Sequence, residues 1–271
     1  MNQPEGNASG PQVILDRCGD IGLLTLNRPE RANAFSVTMR GELLAAAQAI
    51  AADESVRVVI LTGAGKYFSG GADLREPRAV RAAGRKRFPG ATDLSGIPQP
   101  VIAAINGPAL GGGCELALTC DFRFMAADAL IGLTEIRFGS LPIGGGTARL
   151  PRLVGLAAAR KMIMTGDPID AQEAERIGLA DRVVEPGKLM DESLAFARRL
   201  AERPSYAIRT AKVLLDSCLD VDLPTALKRE KQLARSMASR EKFAAARLEA
   251  ARSMPTYARI FAEQDGHDAA G

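Results

Sequence analysis

The sequence predicts an α/β fold of stacked β-β-α units with mostly parallel strand pairing, followed by a helical region. Three observations carry that expectation. Short apolar runs rich in β-branched residues, such as 56–62 and 101–105, end in glycine or polar turns. A loop and a helical periodicity separate successive runs, an alternation that favours parallel pairing through crossovers. From about Thr147 onward, alanine-rich helical segments take over, and only 179–184 reads as a strand.

In chain order, residues 13–15 and 21–26 read as short strands joined by Gly19-Asp20, with Asn27-Arg28-Pro29 ending the second. Val37, Leu43, Leu44, Ala47 and Ile50 trace one face of a helix over about 36–52. Residues 56–62, closed by Gly63, form a buried strand. The rhythm returns with 101–105 as strand, a glycine loop, a helix opening at Gly112, and 122–125 as strand. Helices are expected at 157–164, 171–177, 193–202, 205–215, 227–238 and 240–251. A polar, disordered tail is expected over 1–12, an α/β core over 13–200 and a helical region over 201–271, with Arg203-Pro204 at the junction.

Composition narrows the function classes. Hydrophobic residues at 46% and charged residues at 25% are ordinary for a soluble globular chain of 271 residues. A net charge of +3 gives no case for nucleic acid. The basic stretch 75–87 reads as a solvated helix face, Arg75 excepted. Cys18, Cys114, Cys120 and Cys218 show no metal-ligand spacing, and the single histidine, His267, leaves zinc sites and serine-histidine triads without parts. Reduced thiols fit a cytoplasmic location, and no apolar run approaches membrane-spanning length.

Residues 107–115, Gly-Pro-Ala-Leu-Gly-Gly-Gly-Cys-Glu, are the most informative stretch. Adjacent glycines bare the backbone so that a ligand can lie against its amides, and the opening of a helix leaves amide donors free. Glu115 sits in the first turn, so free donors stand beside a carboxylate, a pairing suited to a carbonyl that gains charge while a proton moves. Taken alone, the stretch reads more simply as a tight turn that allows close helix packing. A second small-residue loop, 65–74, follows the strand ending at Gly63, and locally reads either as a turn or as a ligand loop. It lacks the P-loop spacing, and neither loop gives a dinucleotide fingerprint.

Taken together, these segments resemble the crotonase superfamily, the enoyl-CoA hydratase/isomerase family. The matching motifs are Leu26-Asn27-Arg28-Pro29 with Asn33-Ala34, the loop 65–74, and 100–107 leading into 109–117. Thr134-Glu135, 141–147 and Leu150-Pro151-Arg152 follow in the family's order, so that the match spans about 13–215. The resemblance implies a crotonase-like β-β-α superhelix with a C-terminal helical trimerisation region, assembled as a trimer or a dimer of trimers. It implies reversible syn hydration of 2-trans-enoyl-CoA to 3-hydroxyacyl-CoA, with no cofactor beyond the coenzyme A of the substrate, no metal and no membrane or nucleic-acid partner.

By the same resemblance, the backbone N–H groups of Ala72 and Gly112 grip the thioester oxygen. Glu115 activates water and Glu135 protonates the α-carbon; read alone, Glu135 would pass as a surface carboxylate. Arg75 stands where a basic residue reaches a CoA phosphate, a role favoured over a solvated charge; Arg31 borders the adenine pocket and could equally be a solvated charge. Ala34, Asp73 and Gly111 fall in the substrate-binding motifs. Phe68, Leu74 and Leu141 are expected to line the acyl tunnel, with core packing as the alternative for each. Residues 76–96 carry no recognisable family pattern, and 261–268 match only the beginning of the usual final segment. Isomerase, hydrolase and non-catalytic acyl-CoA- or RNA-binding readings remain as alternatives.

Overall fold

The computed structural model describes residues 10–88 and 90–238. In chain order the strands are Val13–Cys18 (β1), Ile21–Leu26 (β2), Val58–Gly63 (β3), Val101–Ile105 (β4), Ala109–Leu110 (β5), Phe122–Ala126 (β6), Leu130–Gly132 (β7), Ile169–Asp170 (β8) and Arg182–Val184 (β9). The helices are Val37–Ala52 (α1), Arg78–Arg87 (α2), Gly112–Leu118 (α3), Gly146–Thr165 (α4), Ala171–Arg176 (α5), Leu189–Ala201 (α6), Ser205–Ser217 (α7) and Leu223–Ala238 (α8). A six-stranded sheet runs β1-β2-β3-β4-β6-β9; the β1–β2 hairpin is antiparallel and every other pairing is parallel, as the alternation predicts.

Burial explains why the central strands are legible. Val101–Ile105 is buried at every position and β3 at every position except Thr62, so a parallel strand covered on both faces reads as an unbroken apolar run. On one side α1 lays Met39, Leu43 and Ile50 against the core, and its N-cap Ser36 accepts the Met39 N–H at 3.0 Å. Phe196 of α6 packs on the sheet, with ring centroids 4.9 Å from Phe122 and 5.2 Å from Phe124.

A second, three-stranded sheet, β5-β7-β8, goes beyond the sequence expectation, because strands of two and three residues carry no period to read. The expected strand at 179–184 pairs only over Arg182–Val184. The Leu179 and Ala180 N–H groups instead close the end of α5 on the Ala174 carbonyl, at 2.8 and 3.0 Å. The helix expected at 157–164 is the latter half of α4, which starts at Gly146 and is broken at Gly155, where φ is +75°.

The chain divides into two compact units, Met1–Arg209 and Thr210–Gly271. Order begins before Val13: the Gln12 N–H donates to Glu42 Oε2 at 2.7 Å, and Asn27 Nδ2 donates to the Pro11 carbonyl. Residues 1–9 of the expected tail, the helix expected at 240–251, the segment 261–268 and His267 lie outside the described residues. Among the described residues no helix is long and apolar enough to cross a membrane.

Candidate active site

The first glycine loop leaves β3 at Gly63 and is pinned from within by Asn33. Its Nδ2 donates to the carbonyls of Ala64 (3.0 Å) and Tyr67 (2.7 Å), and its Oδ1 accepts the Arg28 N–H at 2.8 Å. Asn33 is fully buried with φ of +53°, a conformation that Asn tolerates better than most residues. Asn33→Ala removes these three bonds and is expected to cost about 2–4 kcal/mol in urea denaturation, with a fall in activity as the loop loosens. The same loop then pairs with Phe35. The Phe35 N–H donates to Gly71 O at 2.7 Å and Asp73 N–H donates to Phe35 O at 3.4 Å. Alternate amides of an extended segment point in opposite directions, so this pairing turns the Ala72 N–H away from Phe35.

The second loop supplies its own free amide. The Gly111 N–H is taken by Gly132 O at 2.8 Å and the Glu115 N–H by Gly111 O at 2.9 Å, whereas Gly112 is the first residue of α3 and has no intrahelical acceptor. Neither the Ala72 nor the Gly112 N–H donates to any group among the described residues. The two loops abut. At Gly71, with φ of +83°, a Cβ would lie 2.7 Å from both the Gly112 nitrogen and the Leu110 carbonyl oxygen. Only glycine lets the backbone carrying Ala72 press against the backbone carrying Gly112.

Two carboxylates flank this junction. Glu115 is buried, with Oε1 accepting the N–H groups of Gly144 (2.6 Å) and Gly146 (3.0 Å). A Cβ on Gly144 would come 2.5 Å from Glu115 Oε2, so the loop before α4 must be glycine to close on the carboxylate. Glu135 opens the 3-10 turn Glu135–Phe138, and its Oε1 lies 3.2 Å from where a Cβ on Gly111 would stand. The short sheet explains the placement. β5 pairs with β7 in parallel, Ala109 with Ile131 and Leu110 with Gly132, which lays the turn after β7 over Gly111.

Burial pushes the Glu115 carboxyl above its ordinary value, opposed by the Gly146 and Gly144 amides and by the charges of Arg149 and Arg40. Glu135 is pushed up to about 6, by burial first and then by the charge of Glu115, against its own backbone N–H. Its Oε2 is buried with no hydrogen-bond partner among the described residues. Two desolvated carboxylates that sense each other beside two unclaimed amides form a site for proton transfer next to a developing oxyanion.

This chain matches the family described as enoyl-CoA hydratase/isomerase over residues 17–258. The chain belongs to the enoyl-CoA hydratase/isomerase family. It is 38% identical over 232 residues to a protein of Rhizobium meliloti named probable enoyl-CoA hydratase, covering 84% of this chain and 90% of that one. It is 39% identical over 227 residues to the crotonyl-CoA hydratase of Syntrophomonas wolfei, covering 80% and 86%. The crystal structure of an enoyl-CoA hydratase from Bacillus anthracis superposes with a TM-score of 0.82 at 39% identity, covering 85% of this chain and 92% of that one. The crotonase fold expected from the motifs is the fold found.

Within this family member, the remaining expected site residues fall into three groups. Arg75 and Leu74 are exposed beside the Ala72 loop, Leu141 is exposed in the loop leading to Gly144, and Arg31 and Ala34 are half-buried near the start of α1. Asp73 is buried and forms a 2.6 Å ion pair with Arg28, which also donates to the Ala34 carbonyl at 3.2 Å. Phe68 is fully buried in the hydrophobic core. The family reading leaves three working parts without a role: Asn33 as the loop's anchor, Phe35 as its pairing partner, and Gly144 with Gly146 as the clamp on Glu115. All four stand in or next to the quoted motifs, so only their roles are hidden. Among the described residues no cluster of three or more His, Cys, Asp or Glu could hold a metal ion.

The raised Glu135 value has a stability consequence. A carboxyl whose folded value lies above its ordinary 4.5 binds its proton more tightly when folded, so the contribution of Glu135 to stability is fully present below about 4.5 and is lost as pH rises through about 6. Glu135→Gln removes the charge and is expected to stabilise the fold by about 1–2 kcal/mol at neutral to alkaline pH. The gain should vanish below about pH 4.5, which thermal melts at both extremes would check.

Proposed function

We propose that this protein is an enoyl-CoA hydratase, adding water reversibly and syn across the double bond of a 2-trans-enoyl-CoA to give the 3-hydroxyacyl-CoA. The observation that carries this reading is the grouping of two unclaimed amides, Ala72 and Gly112, with two desolvated glutamates, Glu115 in the first turn of α3 and Glu135 over Gly111. The thioester oxygen accepts from both amides, which lowers the energy of the enolate-like state as charge moves onto oxygen. Glu115, held as an acceptor by the Gly144 and Gly146 amides, takes a proton from water as the oxygen attacks the β-carbon. Glu135, whose proton is retained more readily, delivers it to the α-carbon. The reaction as proposed uses water, the CoA thioester and the chain itself.

Arg75 and Arg31 are proposed to meet the phosphates and adenine of CoA, with Ala34 and Leu74 bordering the carrier. Assembly into a trimer or a dimer of trimers is proposed from the family resemblance, and Phe138, Ile143, Leu156 and Met164 are large apolar side chains left exposed in the single chain. The decisive assay incubates the protein with crotonyl-CoA and identifies the product by mass and NMR. Formation of 3-hydroxybutyryl-CoA supports hydration. Release of free CoA, or turnover confined to 3-enoyl-CoA substrates, would replace this reading with hydrolysis or isomerisation.

A further inference from the structure

The stretch without a family pattern ends in a segment that its own contacts seat firmly. Ala91, Leu94 and Ile97 are buried. The Leu94 N–H donates to Thr119 Oγ1 at 3.1 Å, and Thr119 closes the C-terminal end of α3, the helix whose first turn carries Glu115. Asp93 stands exposed between the first two of these anchors. Its Oδ1 accepts the Ser95 N–H at 3.1 Å and the Ser95 hydroxyl at 2.6 Å, which leaves Oδ2 to accept from Arg149 Nη2 at 2.7 Å.

Arg149 turns its other terminal nitrogen to the clamp on Glu115. Nη1 donates to the Gly144 carbonyl at 3.3 Å, and a Cβ on Gly145 would collide with it. That carbonyl lies between the two amides that grip Glu115 Oε1, with the Gly144 N–H before it and the Gly146 N–H after it. Three consecutive glycines have the greatest backbone freedom, and Gly145 sits at φ of +110°, so the clamp needs an outside hold to keep its shape. A guanidinium is planar and presents its donors as a rigid fork, so fixing Nη2 on Asp93 also aims Nη1 at Gly144. An ion pair this open to water contributes little to stability, which allows its effect on the site to be measured apart from folding.

We infer that Asp93 is a positioning residue: by holding the Arg149 fork against the Gly144 carbonyl, it keeps the Gly144 and Gly146 amides on Glu115 and thereby aims the carboxylate that activates water. The inference rests on the hydratase reading for what Glu115 does. Hydrogen exchange and turnover therefore test the two separately, both on the full chain. In Asp93→Asn the amide oxygen can keep the Ser95 turn, while its NH2 offers Arg149 no acceptor; Asp93→Ala removes both oxygens. In either variant, exchange of the Gly144 and Gly146 amides, read by mass spectrometry, is expected to quicken at least about tenfold relative to the wild-type protein. The kcat for crotonyl-CoA hydration should fall about tenfold, with KM within about twofold and the melting temperature within about 3 °C. Arg149→Met should lose at least as much, and adding Asp93→Asn to it should cost less than about twofold more, because the two residues act in series. Arg149→Lys keeps the charge without the fork and should fall between.

Unchanged exchange at Gly144 and Gly146 in both Asp93 variants overturns the inference, as does full kcat in both. So does a loss that multiplies with that of Arg149→Met, or one confined to KM. Faster exchange across the whole chain with a lowered melting temperature would assign Asp93 to the fold instead, and also overturns it. Asp93-dependent protection of the two amides, in a protein that hydrates no enoyl-CoA, would keep the positioning of Glu115 and overturn only the hydratase reading.

Discussion

Glu115→Gln is expected to lower the rate of crotonyl-CoA hydration by about 10²–10⁴-fold, and Glu135→Gln by a similar factor. The two losses have different physical origins. In Glu115→Gln the new amide can still accept the Gly144 and Gly146 N–H groups through its carbonyl oxygen, so the loop stays closed, but it can no longer take a proton from water. Glu135→Gln keeps the bulk over Gly111 and removes the proton that the α-carbon requires. Neither change opens a cavity, so melting temperatures should hold or, for Glu135→Gln, rise. The double variant should lose little more than the weaker single variant, because residues that act on one transition state do not contribute additively. Stopped assays on the three variants, with product identified by mass, check this; full activity in either single variant would remove the carboxylate pair from the chemistry.

Gly112→Pro carries the second large effect. Proline is tolerated at the first position of a helix, where its missing N–H would have had no intrahelical partner. Gly112 occupies that position in α3, so the substitution deletes the donor with little demand on the helix. Loss of one oxyanion donor is expected to cost about 10²–10³ in kcat. Gly112→Ala is the matched control: its Cβ would meet Gly71 Cα and the Phe35 ring at 3.4 Å, an ordinary contact, while the N–H remains. Alanine should therefore retain most activity where proline does not. Comparable losses in both variants would mean that crowding at Gly71, rather than the donor, sets the rate.

How much of this is legible in the chain follows from how local each signal is. Strand β4 announces itself because burial on both faces writes an unbroken apolar run into the sequence, and α1 because Leu43 and Ile50, which it buries, stand at helical spacing. Glu115 can be singled out because the glycines that bare its loop are its immediate neighbours. Glu135 cannot, since its position over Gly111 depends on a two-residue pairing between β5 and β7 that leaves no pattern. The family motifs supply it instead. The clamp from Gly144 and Gly146 bridges about thirty residues, and the Arg28–Asp73 pair joins residues 45 apart; contacts of that span become visible only when the chain is folded.

The central claim is that one oxygen is held by main-chain nitrogens from two separate turns, and a crystal structure with bound acetoacetyl-CoA tests it most directly. The account predicts the thioester oxygen at about 2.7–3.1 Å from both the Ala72 and Gly112 nitrogens, with the acyl carbons lying between the Glu115 and Glu135 carboxylates. A thioester bound elsewhere, or an oxygen that meets neither nitrogen, would contradict it.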